Sequence, residues 1–227
     1  MHYTLFNFNF AVIVSLLLTY SATDSICFAA EHDRQAFVYG SRIDISNKPG
    51  TVEKENLQKF ARIITDLLMV TRNIIAKNQE LINRDPITGN YYFKGFVPAV
   101  VGSEIANDFT LLTGWKLKQT SLKVRNPSNT PDKWEVKVLR SFEAAESSKA
   151  VSFGEIVEID GQKTYRFMKP IYVDKTCLEC HSEKQKLKPA VRQFMARKYP
   201  HDLAHGYKEG DIRGGISIAI PVEMTKH

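Results

Sequence analysis

With 227 residues, 43% of them hydrophobic and 25% charged, the chain has the composition of a globular protein that is large enough to bury a core. Its formal net charge is +6, but the lysines and arginines are dispersed and no run of five like charges occurs. This pattern excludes nucleic acid as the expected partner. We interpret the basicity as a general surface property.

The first thirty residues have the features of an export signal. An apolar run spans residues 10–18, and small residues follow it, so we expect signal peptidase to cut after Ala29 or Ala30. The segment before the run lacks Lys and Arg, which leaves a retained anchor as the alternative, although the run is only half of the roughly 20 residues that span a bilayer. We predict a cleaved signal peptide over 1–30 and a periplasmic protein, from which cleavage also removes Cys27.

A long helix is predicted at the start of the mature domain. We expect a lead-in segment over 31–52 and the main domain over 53–227, with Thr51 as the helix N-cap and Asn83 near its end. Met69 lies about opposite the predicted core stripe of this helix, so it is either a partly exposed methionine, or one that contacts a partner subunit, or a thioether ligand to a metal. The stripe follows a spacing of three or four residues and consists of Leu57, Phe60, Ile64, Leu67, Thr71, Ile74 and Leu81.

The remaining elements predict an α+β fold. Mostly antiparallel strands alternate with helices that gather at one side of the sheet, and Asp160-Gly161 is a type I′ hairpin signal. The predicted helices cover 103–112, 134–143 and 184–198, and the predicted strands cover 116–124, 151–159, 163–173 and 216–221.

The motif Cys177-Leu178-Glu179-Cys180-His181 follows the hairpin directly and indicates covalent heme attachment. Two thiols at this spacing can each add to a vinyl group of one porphyrin, and the histidine after the second thiol is the expected proximal iron ligand. The alternatives are half of a zinc site, for which His201 and His205 are the nearest further ligands, and a redox dithiol, which has no use for the histidine.

Several segments around this motif resemble the periplasmic single-heme c-type sensor domains that have a PAS-like fold. The resemblance covers about residues 53–222. It is carried by segments 121–129, 134–135, 165–171 and 206–214 in addition to the cysteine motif.

The resemblance implies a five-stranded antiparallel PAS-like sheet, a long N-terminal helix and one covalent heme c that senses redox state or a small gas. The proximal ligand is then His181. The distal ligand in such domains varies between cysteine, methionine and water and comes from the N-terminal helix, which makes Met69 the distal candidate. A distal thiolate is excluded, because the mature chain has no cysteine outside the motif. Weaker distal candidates are Met168, Met195, His201 and His205.

Three further residues are candidates for contacts with heme propionates or with the heme pocket. They are Lys123, Arg125 and Tyr207, and solvent-facing structural roles are the alternative for each of them.

Three function classes fit a single heme. A sensor needs a distal position that opens or changes its ligand, whereas an electron carrier is best served by two permanent ligands. A heme enzyme would need a distal acid-base group such as His201 or His205, and we do not predict an enzyme. Because only six residues follow Pro221, we expect a signal to pass to a separate signalling protein, for instance through an oligomer interface of this chain, or electrons to pass to a separate redox partner.

Overall fold

A computed structural model describes residues 51–145 and 150–222, so the signal peptide and nearly all of the lead-in segment lie outside the described residues. No helix of the described residues combines the length and the apolar character that crossing a bilayer requires. The helices are α1 Thr51–Lys77, α2 Gln79–Ile82, α3 Pro98–Thr113, α4 Lys133–Ala144, α5 Leu178–His181 and α6 Pro189–Lys198. The strands are β1 Lys116–Thr120, β2 Phe153–Ile159, β3 Gln162–Tyr172 and β4 Ile212–Pro221.

The four strands form one antiparallel sheet in the order β1-β4-β3-β2. On one face of the central strands, Phe167 and Ile218 pack in the same cluster as buried residues of α1 and α3. On the other face, Met168 packs against Leu139 and Phe142 of α4. Because helices cover both faces, β3 and β4 are apolar along most of their length instead of alternating cleanly between apolar and polar residues.

This architecture confirms the α+β prediction and is compatible with a PAS-like fold. The described residues form four strands, whereas the resemblance implied five. The first strand ends at Thr120 instead of residue 124, because the Ser121 hydroxyl bonds both the N–H of Lys123, at 3.2 Å, and its carbonyl, at 3.1 Å. Such a local turn competes with the sheet ladder and ends the strand.

Local sequence signals are followed closely elsewhere. Asp160 and Gly161 have φ values of 49° and 79°, as the predicted type I′ hairpin requires. Asp132 and Glu135 form a reciprocal capping box, in which each side chain accepts the other's backbone N–H at 2.9 Å, so α4 begins one residue before the predicted helix. Gly114 ends α3 in the left-handed region at φ 72°.

The buried face of α1 differs from the predicted core stripe. Leu57 is buried as predicted, but Leu67, Ile74 and Leu81 are exposed. Met69 is half-buried and packs against the core, whereas the prediction placed it opposite the buried face. The helix is apolar on two sides, and the sheet covers the side that carries Leu57, Ala61, Thr65 and Leu68.

Candidate functional site

A cavity of about 480 Å³ lies between the inner side of α1, the start of α3 and the turn that carries the two cysteines. Its volume falls in the range of about 300–1,000 Å³ that is typical of small-molecule and cofactor sites. Cys177, Cys180 and His181 line it, together with Met69 and Arg125. Apolar and aromatic side chains line much of the rest, including Phe93, Val97, Ile171, Val191 and Phe194.

The cysteine turn begins directly after β3 and is capped by Asp174. The N–H of Cys177 donates to Asp174 Oδ1 at 3.0 Å, and the Thr176 hydroxyl donates to the same oxygen at 2.6 Å. Burial raises the pKa of Asp174, but the hydrogen bonds from Thr176 and Cys177 outweigh it, so the pKa is lowered and the carboxyl is ionised at neutral pH. One helical turn follows, in which the N–H of His181 donates to the Cys177 carbonyl at 3.0 Å.

The surroundings of His181 select one tautomer of its ring. Nδ1 lies 2.7 Å from the carbonyl oxygen of Ala204, which can only accept a hydrogen bond, so Nδ1 carries the proton and Nε2 keeps its lone pair. Arg213 Nε donates to this lone pair at 3.3 Å. Burial, followed by the charges of Arg213 and Arg125, holds the pKa of His181 well below its usual value. The ring is therefore neutral, and it has the carbonyl-oriented form that metal-ligating histidines adopt.

Arg125 holds the cysteine turn in place. Its Nη2 donates to the carbonyl oxygens of Cys180, at 2.6 Å, and Ala204, at 3.1 Å. Its Nε donates to Asp202 Oδ2 at 3.0 Å, and Asp202 Oδ1 accepts the N–H of Ala204 at 2.8 Å. This single side chain therefore connects the turn to the loop that orients His181, and the carboxylate of Asp202 compensates its charge.

Two other arginines bring uncompensated charge to the cavity. Arg72 bonds the side chain of Gln119, and Arg213 Nη1 donates to Ser121 Oγ at 2.8 Å. Neither forms an ion pair with a carboxylate of the described residues. Burial, followed by the charge of Arg213, lowers the pKa of Arg72 to about 10, so it is still a cation at pH 7. Buried cations without an anion are unfavourable, so the cavity is suited to a negatively charged ligand.

Comparison with known proteins gives the family. The model of the Tll0287-like family matches residues 47–221. The chain belongs to the Tll0287-like family. Its structure is similar to the crystal structure of the cyanobacterial heme-protein Tll0287, with a TM-score of 0.59 and 25% identity over 75% of this chain and 98% of that one. No curated protein matches the chain.

Two other predicted pocket residues of this Tll0287-like protein, Tyr207 and Lys123, lie next to His181 but outside the cavity lining. The ring of Tyr207 meets that of His181 edge to face, with 6.0 Å between centroids, and Lys123 Nζ lies 4.9 Å from the Tyr207 centroid. Neither Tyr207 nor Lys123 lines the cavity, whereas Arg125 does. The Tyr207 ring therefore packs against the His181 ring, and Lys123 packs on Tyr207, both outside the cavity.

Among the five candidates for a distal ligand, two line the cavity of the Tll0287-like domain. They are Met69 on α1 and Met195 on α6. Met168 is buried between the sheet and α4, and His201 and His205 lie outside the cavity lining. The described residues hold no cluster of three or more His, Cys, Asp or Glu side chains that could bind a metal ion, so the two histidines do not complete a zinc site with the cysteines there.

The two cysteines are half-buried, and their thiols are protonated at neutral pH. They form no disulfide. Burial raises the pKa of Cys177, and it raises the pKa of Cys180 to about 11. Redox-active dithiols depend on a lowered thiol pKa, so this environment argues against the dithiol alternative.

Three residues of the site were not among the predicted ones, namely Arg72, Arg213 and Asp202. Arg213 lies in segment 206–214, which carried the family resemblance, so that segment contained a usable signal. Arg72 is three residues after Met69 and shares its side of α1. Asp202 has no local signal, because its partner Arg125 lies 77 residues earlier in the chain.

Proposed function

We propose that this chain is a c-type heme protein that binds one heme covalently through Cys177 and Cys180 and ligates the iron through His181. The observation that carries the proposal is the neutral His181 ring, in which the Ala204 carbonyl leaves the lone pair on Nε2 and which lines the same cavity as both thiols. Metal binding would replace the hydrogen bond that Arg213 donates to Nε2. The solved relative Tll0287 is a heme protein, which supports the same assignment.

The charges of the cavity fit a porphyrin that carries two carboxylates. The guanidinium groups of Arg72 and Arg213 have no carboxylate partner in the described residues, and they lie on the same cavity as the cysteines. Arg–carboxylate pairs are among the strongest charge-assisted hydrogen bonds in proteins. Arg72 and Arg213 are therefore the residues that would hold the propionates, and Arg125 supports the attachment turn.

Covalent attachment is tested by acid-acetone extraction of the purified protein. We expect the color to stay with the polypeptide of the wild type and to pass into the solvent with the double variant Cys177→Ser/Cys180→Ser, because only the thioether bonds resist extraction. The matched control is Ser182→Ala, which alters the residue next to His181 and leaves the thiols intact. A wild type that loses its heme to acid-acetone would refute covalent attachment.

The function supported best is heme-based sensing of redox state or of a small gas, with Met69 as the distal ligand. Met69 lines the cavity and packs against the core, so release of its thioether from the iron would change the packing of α1 on the sheet. Electron transfer is the second candidate, because a methionine retained in both oxidation states is typical of electron-transfer hemes. A heme enzyme finds less support, since neither His201 nor His205 lines the cavity.

Replacing Met69 separates these functions. We expect Met69→Leu to change the ferrous absorption spectrum from six-coordinate to five-coordinate and to speed CO binding by about tenfold or more, because the competing ligand is removed. Met195→Leu, which alters the other cavity methionine, is the control and should leave the spectrum unchanged. Rapid CO or NO binding by the wild type favours the sensor, and an inert six-coordinate wild type favours the electron carrier. If Met69→Leu leaves the spectrum unaltered, Met69 is not the ligand.

The proposal includes export to the periplasm, where covalent heme attachment is carried out, and a separate partner protein that receives the signal or the electrons. Cell fractionation tests the location. Detection of the heme-loaded chain in the periplasmic fraction, without residues 1–30, is the expected result.

A further inference from the structure

The outer face of α1 carries an apolar stripe that the described residues leave uncovered. The spacing along this stripe alternates between three and four residues, which is the a and d pattern of a coiled coil over three heptads, roughly 30 Å of helix. Its four central members on α1 are Ile63, Leu67, Val70 and Ile74, which are 54%, 67%, 53% and 55% exposed. Its ends are Phe60, which is half-buried, and Leu81, which lies on α2.

We infer that this stripe is the interface of a homodimer in which the α1 helices of two copies pack against each other in antiparallel orientation. An apolar row of this length, interrupted only by Lys77, marks an interaction surface, because scattered apolar residues rarely form one. A heptad row is complementary to a second copy of itself, since each side chain fits between four side chains of the facing helix. The opposite side of the same helix is already buried in the core of its own domain, as Leu57 and Leu68 show.

The single charged residue in the row decides the orientation. Lys77 stands at a d position between Ile74 and Leu81. In a parallel pair each position meets its own counterpart, so Lys77 would face Lys77 of the second copy. In an antiparallel pair, a positions meet d positions, so Leu67 faces Val70 and Lys77 faces Phe60, where its alkyl stem and charge can rest on the ring.

The flanking charges are complementary in the same orientation. The antiparallel register brings Lys59 of one copy beside Glu80 of the other, and the symmetry of the dimer makes this pair twice. Both side chains are exposed, and neither forms an ion pair with another of the described residues. Helix α2, which carries Glu80, follows α1 after the single turn residue Asn78, whose N–H donates to the Ile74 carbonyl at 3.2 Å and whose carbonyl accepts the N–H of Ile82 at 2.9 Å. In a parallel pair Lys59 would face the apolar Ile64 instead.

Sedimentation equilibrium of the purified full chain tests the interface. We expect the wild type to dimerise and Leu67→Glu to raise the dissociation constant by about 100-fold, because each copy would bury a carboxylate in the row. Leu112→Glu is the matched control, since Leu112 on α3 is 66% exposed and lies outside the row. It should change the constant by less than about threefold. A monomeric wild type would overturn the inference, and this includes the case in which the apolar run over 10–18 covers the row. Equal effects of Leu67→Glu and Leu112→Glu on the dissociation constant would overturn it as well.

The orientation has its own test. Lys59→Glu should raise the dissociation constant by about three- to tenfold, and Lys59→Glu/Glu80→Lys should restore it, because the pairs re-form with their charges exchanged. A double variant that is no better than the single one would exclude the antiparallel register. The interface consists of residues that do not line the cavity, so dimerisation is also expected of a chain that carries no heme.

Discussion

We expect Arg125→Leu to lower the free energy of unfolding by about 3–5 kcal/mol, the range found when one member of a buried ion pair is removed. Asp202 would be left as a buried carboxylate without its partner, and the carbonyls of Cys180 and Ala204 would each lose a donor. Urea unfolding, monitored by circular dichroism in the far ultraviolet, measures the loss.

Lys186→Leu is the matched control for this result. Lys186 pairs with Glu183 at 3.1 Å, but both side chains are more than 60% exposed, so this change should cost less than about 1 kcal/mol. If the two variants are equally stable, Arg125 does not hold the cysteine turn. The Asp202→Asn variant should resemble Arg125→Leu, because it leaves the arginine as the unpaired charge.

Replacing Arg72 or Arg213 with glutamine should lower the midpoint reduction potential of the proposed heme by roughly 50–100 mV. This is the value expected for the loss of one charge at about 7 Å in a medium of effective dielectric constant near 20. A nearby cation favours the reduced state, which carries one more electron, so removing the charge of Arg72 or Arg213 favours the oxidised state. Arg213→Lys retains the charge and should shift the potential less than Arg213→Gln. Spectroelectrochemical titration of the purified protein provides the measurement.

Arg140→Gln is the control for the potential, because Arg140 is exposed on α4 and does not line the cavity. Its potential should equal that of the wild type. Covalent heme content should be normal in all of these variants, since none of them alters the thiols. Unchanged potentials in the Arg72 and Arg213 variants would refute their role beside the propionates without affecting the attachment proposal.

The parts of the fold that the sequence predicted well depend on neighbours in the chain. The turn at Asp160-Gly161 requires positive φ values that these residue types accept, and the cap formed by Asp132 and Glu135 needs only three residues of separation. Interactions between residues close in the chain determine each of these features, so a single sequence is enough to predict them.

The parts that the sequence could not predict depend on distant partners. Periodicity predicts one apolar stripe on α1, but it could not show that the sheet covers a different side of the helix, so the prediction that Met69 lies opposite the buried face is wrong. Arg125 was recognised as a pocket residue, yet its partners lie 55 to 79 residues away, and only the folded chain brings Asp202 and Ala204 to it. For the same reason the sequence could not show that Arg72 and Arg213, which are 141 residues apart, line one cavity without a carboxylate partner among the described residues.

Helix α1 presents Met69 and Arg72 to the cavity on one side and its row of exposed apolar residues on the other. A helix of 27 residues moves as a rod, because bending it at one point breaks backbone hydrogen bonds. Any displacement of Met69 or Arg72 is therefore passed along the helix to the outer row, and a partner packed on that row resists it. Thermodynamic linkage makes the effect mutual: the cavity's affinity for its ligand depends on the state of the outer face, and the outer face responds to the ligand by the same factor.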